Sequence, residues 1–330
     1  MTRSSDGGAN YAFVTGNGRS GTNWLLELLD LSPQTFCRSE PSGIETSPLK
    51  ALDDDRFVKR ADQSALDSKW DDAVEWTARH MGERDRAITM PKDFIYPLSR
   101  RLGLYRMVRG PRFRWALSCV LSSLRGGEWP LPSYIFNFAR MQQALPILKL
   151  VSSPGWSDYV ICNRPDSRMF HIVRHPGGYL HSWATRYRSK TDEEKIHREN
   201  RVRLETIARE QPQWGERFGD ILAMSTEESE LWFWCYAAET IDRAGEGKPG
   251  YYRIIYEELT SAPIPIVKRC YEMCGLEWSE SVEQAVLAAS LAAPSIAAKW
   301  RKNLSPEQIA LTTRILDQST LGEHWPEEVN

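Results

Sequence analysis

Apolar positions along this chain gather into short runs, each followed by a stretch with helical spacing. Residues 11–15 (YAFVT) form the first run, and their apolar and β-branched side chains predict a buried strand. A turn bearing Gly16, Gly18 and Gly21 follows at once. Beyond it Trp24, Leu25, Leu28 and Leu29 recur at the three-to-four spacing of a helix that begins near Gly21 or Thr22. The same order returns at 167–173 (SRMFHIV), a predicted strand that leads through Pro176 and Gly177 into a helix reaching 188. Residues 251–256 predict a further strand and 87–90 a short one. Helices are expected over 135–147, 227–244, 263–274, 280–292 and 305–318. Residues 52–86 are rich in charge and read as exposed helix and loop, 189–217 as a mobile or surface helical segment, and residues 1–10 as a loose tail. Strands alternating with helices predict an α/β fold with a central, mostly parallel sheet flanked by helices. No repeat or Gly/Ser linker divides the chain, so 11–330 is read as a single domain with helical insertions near 95–145 and 189–235 that build the substrate pocket.

Composition narrows this picture. The chain has 330 residues, 41% hydrophobic and 26% charged, which excludes a disordered chain, a collagen-like fibre and a coiled-coil rod. Its 42 Lys and Arg nearly balance 44 Asp and Glu, for a formal charge of −2, which argues against a dedicated nucleic-acid binder. A local basic pocket remains compatible with that balance. One segment concentrates positive charge: Arg100, Arg101, Arg106, Arg109, Arg112 and Arg114 read either as a solvated face or as an attractor for an acidic acceptor. The six cysteines form no C-x-x-C pair, and Cys270 and Cys274, one turn apart among apolar neighbours, read as buried reduced thiols. The six histidines show no zinc-binding spacing with cysteine. With no signal-peptide pattern and no apolar run of about 18 residues, the expectation is a cytoplasmic protein without a membrane span.

The chemistry is concentrated in FVTGNGRSGTNW at 13–24. Glycines let a backbone turn sharply and approach a ligand, and the N–H groups of the following helix then favour a phosphate. Ser20 and Thr22 add hydroxyl donors and Arg19 a charged one. A kinase P-loop would read G-x-x-x-x-G-K-[ST]; Gly16 and Gly21 have that separation, but Thr22 and Asn23 stand where the lysine and hydroxyl belong. A second stretch, IVRHPGGYLHSW at 172–183, places Arg174 at a strand end and Ser182 eight residues on, within the next helix. Both motifs are then expected at the carboxyl ends of the strands, where α/β sheets bind ligands.

This pair of motifs resembles the sulfotransferases that use 3′-phosphoadenosine 5′-phosphosulfate (PAPS). Their 5′-phosphosulfate loop, approximately [KR]-S-G-T-[TS]-x, stands here as RSGTNW at 19–24; with Arg in first place it is closer to tyrosylprotein, carbohydrate and bacterial members than to the small-molecule cytosolic ones. Their 3′-phosphate motif corresponds to Arg174, His175, Pro176 and Ser182, and KWRKNLSPEQ at 299–308 and YYRIIYEEL at 251–259 resemble two later segments. The resemblance implies a P-loop NTPase-like three-layer fold and no metal. It implies that Gly18, Arg19, Ser20, Gly21, Thr22 and Asn23 hold the 5′-phosphosulfate, that Trp24 stacks on adenine, and that Arg174 and Ser182 bind the 3′-phosphate, with Lys299 or Arg301 as further contacts. Asn23 departs from the usual Thr, and the basic triplet of the small-molecule enzymes is absent near Ser295.

The catalytic histidine of the small-molecule enzymes is also absent: the corresponding stretch, LKLVSSP at 148–154, offers only Lys149. Some relatives carry a Glu at nearly the spacing of Glu40, 21 residues after Arg19, so Glu40 is the expected general base, with Asp93 in reserve and Lys149 as a support for the transferred group. The implied reaction moves a sulfuryl group from PAPS to a hydroxyl, or an amine, of a small-molecule or saccharide acceptor, releasing adenosine 3′,5′-bisphosphate (PAP). The alternatives are a P-loop nucleotide kinase and a protein that binds PAPS or PAP without transfer.

Overall fold

Every strand of the sheet is short, and every connection between successive strands crosses over through at least one helix. The computed structural model describes residues 10–40, 47–79, 92–102, 137–186, 190–291 and 297–325. In chain order these form β1 (Tyr11–Gly16), α1 (Thr22–Leu29), β2 (Thr35–Ser39), a 3₁₀ segment (Pro48–Asp55), α2 (Ser64–Arg79), and the short helices α3 (Pro97–Arg101) and α4 (Phe138–Met141). Next come β3 (Leu145–Val151), α5 (Pro154–Asn163), β4 (Ser167–Val173), α6 (Pro176–Arg186), α7 (Lys190–Glu210), α8 (Pro212–Phe218) and α9 (Thr226–Gly245). The order closes with β5 (Tyr251–Ile255), α10 (Tyr256–Ser261), α11 (Pro263–Cys274), α12 (Glu280–Ser290), α13 (Trp300–Asn303) and α14 (Pro306–Asp317).

The five strands make one sheet in the order β2-β3-β1-β4-β5, with every pair parallel. Val14 lies opposite Lys149 on one side and Phe170 on the other, and Ser39 lies opposite the same Lys149. Strand order reverses at β1, so the crevice expected of such sheets opens at the carboxyl end of the central strand.

Alternation along β1 divides the core into layers. Ala12 and Val14 pack with Leu25, Leu28 and Leu29 of α1 and with Val267, Cys270 and Tyr271 of α11. Phe13 points the other way, onto Trp70, Trp156 and Tyr159. A third cluster surrounds α9, where Leu231, Trp232, Trp234 and Cys235 are buried against Leu204, Ile207 and Trp214 of α7 and α8. The result is an α/β sheet with helices on both faces. Cys270 and Cys274 are buried thiols outside any disulfide, and burial raises the Cys270 thiol well above its ordinary value.

Two strands depart from the sequence expectation. The helix read over 135–147 is confined to Phe138–Met141, and β3 begins at Leu145. A run such as LPILKLV, apolar but for Lys149, has no periodicity to distinguish strand from helix. β2 was not expected at all. Its Arg38 is fully buried, and its guanidinium donates to the Thr77 carbonyl at the end of α2, from Nε at 3.2 Å and from Nη2 at 3.1 Å. The strand expected over 251–256 ends at Ile255, and Tyr256 opens α10. The charge-rich stretch 189–217 is two helices with buried inner faces, and the helix of the second motif ends at Arg186. The strand expected over 87–90 and all of the arginine cluster except Arg100 and Arg101 lie outside the described residues. Among the described residues, no helix is long and apolar enough to cross a membrane.

Candidate active site

The carboxyl ends of all five strands meet in one crevice. β1 ends in the glycine turn, and Gly21 caps α1 in the left-handed conformation at φ 97°. A side chain there would meet the Tyr256 ring at 2.6 Å, so both backbone angle and space call for glycine. Arg19 follows the turn at φ 73°, Glu40 leaves β2 at φ 49° and Ser152 leaves β3 at φ 49°. These are the non-glycine residues with positive φ among those described, and each stands at the carboxyl end of a strand. Backbone strain of this kind is held where surrounding structure over-determines it, commonly at functional sites.

Neighbouring strand ends brace the turn. The Gly18 N–H donates to Ser152 Oγ at 3.2 Å, and the Asn17 side-chain amide donates to the Trp234 carbonyl of α9 at 3.0 Å. Thr22 is buried at the start of α1, whose first-turn N–H groups point into the crevice. Trp24 is half-buried; its Nε1 donates to the Ala289 carbonyl at 3.3 Å, and its ring meets Tyr256 edge-on at 6.0 Å.

The two sequence motifs touch, through contacts that span 155 and 163 residues of chain. Arg19 Nε donates to Ser182 Oγ at 3.1 Å, and Arg174 Nη1 donates to the Arg19 carbonyl at 3.1 Å. Arg174 lies 4.5 Å from the centroid of the Tyr256 ring, and burial lowers its pKa. Ser20 Oγ and Arg174 Nε are buried with no hydrogen-bond partner. Both are donors, in a pocket that already carries the positive end of α1.

On the other side of β1, Lys149 reaches from β3 to Asn23 Oδ1 and to Glu40 Oε1, the latter at 2.9 Å. The lysine is 1% exposed and the glutamate 39%, so a buried ammonium orients a carboxylate that faces solvent.

A profile of the sulfotransferase family matches residues 12–280, most of the chain and both motifs. The chain belongs to the sulfotransferase family. Sulfuryl transfer is therefore its class of reaction. No curated protein matches its sequence. Solved structures similar to this sulfotransferase include the sulfotransferase domain of the Synechococcus PCC 7002 olefin synthase, at 14% identity over 95% of this chain and 97% of that one, TM-score 0.42. The sulfotransferase domain of the curacin biosynthetic pathway is 14% identical over 94% and 97%, TM-score 0.46. A mouse sulfotransferase complexed with PAP is 10% identical over 94% and 84%, TM-score 0.41.

The remaining candidate residues of the sulfotransferase separate into near and far. Lys299 and Arg301 are exposed, but they flank Trp300, which is buried and stacks on His175 with ring centroids 4.4 Å apart. Arg301 lies over the same Trp300 ring at 4.7 Å. Burial, with the positive charges of Arg301 and Arg174, lowers the His175 pKa to about 3. Asp93 is elsewhere: its N–H bonds the Pro33 carbonyl at 3.0 Å, just before β2, and its carboxylate pairs with Arg100 at 3.6 Å. That is the amino edge of the sheet, a strand length from the glycine turn.

Three contributors were not singled out from the sequence. Ser152 braces the turn, Tyr256 lies beneath Arg174, and Glu257 accepts the His175 N–H at 3.2 Å while burial raises its pKa. Their signal was positional, since each falls within two residues of a strand's carboxyl end. Ser152 was hidden because β3 was read as helix. Among the described residues, no group of three or more His, Cys, Asp or Glu is placed to hold a metal ion.

Proposed function

We propose that this sulfotransferase moves a sulfuryl group from PAPS to a hydroxyl or amine of a small-molecule or saccharide acceptor, with Glu40 as general base. The observation that carries the reading is the junction of Arg19, Ser182 and Arg174, with the buried, unpartnered donors Ser20 Oγ and Arg174 Nε beside it. Orphaned donors in a basic crevice fit a ligand whose oxygens only accept.

In this reading the backbone from Gly18 to Asn23, with Arg19, Ser20 and Thr22, holds the 5′-phosphosulfate. Arg174 and Ser182 hold the 3′-phosphate, Trp24 lies against the adenine, and Lys299 or Arg301 closes the 3′ side. When bound, PAPS supplies the sulfuryl group on its 5′-phosphate oxygen. Arg19 and the α1 N-terminus stabilise negative charge at the loop, because they are already oriented there and need no rearrangement. Glu40 takes the proton of the acceptor, and Lys149, fixed by Asn23, keeps that carboxylate aimed into the crevice.

The test is to follow PAP release while offering alcohols, sugars and amines. Release that requires an acceptor, and that Glu40→Gln removes, supports the reading. Magnesium-dependent consumption of ATP without acceptor-dependent PAP release would replace it with a kinase.

A further inference from the structure

Two arginines outside the nucleotide cradle share one phenyl ring. Arg56 Cζ lies 4.8 Å and Arg203 Cζ 4.4 Å from the centroid of Phe57, and Arg203 lies 4.3 Å from Phe233 as well. Arg56 is fastened to the carboxyl end of β3, donating from Nε to Ser153 Oγ at 2.9 Å and from Nη2 to the Val151 carbonyl at 2.7 Å. Ser152, between those two residues, braces Gly18, so Arg56 stands on the wall of the crevice. The Glu40 carboxylate is close enough to act on the Arg56 charge, as is the like charge of Arg203.

Neither cation has a close carboxylate partner among the described residues, although Asp53 and Glu40 act on Arg56 and Glu230 and Glu199 on Arg203 from farther off. Arg56 has only a loose pair with Asp53 at 3.7 Å. Arg203 donates from Nη1 to Asn200 Oδ1 at 3.1 Å and has no carboxylate within pairing distance among the described residues. The nearby Glu230 is engaged on both oxygens, one by the Tyr179 hydroxyl and the other by Asn200 Nδ2 at 2.5 Å. Burial lowers the pKa of both guanidiniums, which is the cost of holding charge away from water. A guanidinium laid on an aromatic face keeps its N–H groups in plane for planar or tetrahedral oxyanions: Arg203 bonds Asn200 through Nη1 alone, and Arg56, already bonded through Nε and Nη2, contributes its charge and its second terminal N–H groups.

We propose that Arg56 and Arg203 form a receptor for an anionic group on the acceptor, so that this sulfotransferase modifies a molecule already carrying a carboxylate, sulfate or phosphate. The ligand's identity as the acceptor rests on the sulfuryl-transfer reading; the anion receptor itself does not. The pair lies on the Glu40 side of the turn, apart from the residues assigned to the nucleotide. It positions the acceptor by its charge and leaves the proton transfer to Glu40.

The test titrates inorganic sulfate into the full chain saturated with PAP and measures the heat. One sulfate is expected to bind, at least about tenfold more weakly in Arg56→Gln and in Arg203→Gln, with Arg203→Lys closer to the wild type. PAP affinity is expected to be unchanged in all three. Absence of sulfate binding, or equal affinity in the Gln variants, overturns the proposal, as does a parallel loss of PAP affinity. A purely structural Arg203 would lower the thermal midpoint of Arg203→Gln without changing sulfate affinity. If PAP fails to bind the wild type, the sulfuryl-transfer reading fails; sulfate binding to the free chain that weakens in both Gln variants would still establish the anion receptor.

Discussion

The two edges of the sheet use the same polar residue types to opposite ends. At the amino edge, the fully buried Lys92 is saturated: its ammonium donates to the Asp30 and Ser32 carbonyls, to Thr35 Oγ1 at 3.2 Å and to the Asp30 carboxylate at 2.8 Å. Arg168 there gives its N–H groups to the Met273, Pro165 and Ser167 carbonyls. At the carboxyl edge, Ser20 Oγ and Arg174 Nε have no partner, three non-glycine residues have positive φ, and Arg56 has one loose carboxylate, Asp53 at 3.7 Å. Satisfied polar groups hold a fold together; unsatisfied ones in a strained crevice are prepared for a ligand. Lys149 shows the difference within one residue type, because it is as buried as Lys92 yet reaches the exposed Glu40.

Substitutions at the two edges separate these roles. The largest effect is expected for Glu40→Gln, which keeps the shape but not the basicity. Transfer should slow about a thousandfold, measured as PAP release, while PAP affinity holds. Lys92→Met strands several buried carbonyl acceptors. It should cost about 3 kcal/mol in denaturant unfolding and leave PAP affinity untouched. An equal loss of affinity would erase the distinction between the edges.

Acid should act on the fold through two buried histidines, one inside β4 and one just beyond its carboxyl end. Burial lowers the pKa of His171 to about 3, as it does for His175 beside the crevice. The unfolded chain therefore binds two protons, near pH 6.5, that the folded chain refuses until about pH 3. Stability contributed by these neutral rings is complete above pH 6.5 and is lost as pH falls through that window. Each histidine should contribute about 1.4 kcal/mol of loss per pH unit. His171→Gln should roughly halve the slope of unfolding free energy between pH 6 and 4. The smallest effect is expected for Ser182→Ala, which removes one neutral donor. PAP affinity should fall about fivefold, in keeping with one hydrogen bond near 1 kcal/mol.

Much of this was legible in the chain. The YAFVT run, the glycines and the leucines after them located β1, its turn and α1, because composition and periodicity agree there. β4 and the helix at Pro263–Cys274 were legible for the same reason. β2 and β3 were not, because Arg38 and Lys149 are charges buried inside short strands, and only tertiary partners make such residues tolerable there. That missing half of the sheet carries Glu40, Lys149 and Ser152. The sequence therefore suggested Glu40 by its distance along the chain from Arg19, and Lys149 as a support for the transferred group, but not the ion pair that joins them. It also left Asp93 as an alternative, which the fold places at the amino edge, paired with Arg100. Arg56 and Arg203 had no motif to mark them, since a shared phenyl ring is invisible in one dimension.

The central claim is that two distant motifs make one cradle for a doubly phosphorylated adenosine. Calorimetric titration of PAP into the wild type and into Arg174→Ala tests it directly. Saturable one-to-one binding is expected, weakened about a hundredfold when the Arg174 guanidinium is removed. No binding by the wild type, or the same affinity in both proteins, would contradict it.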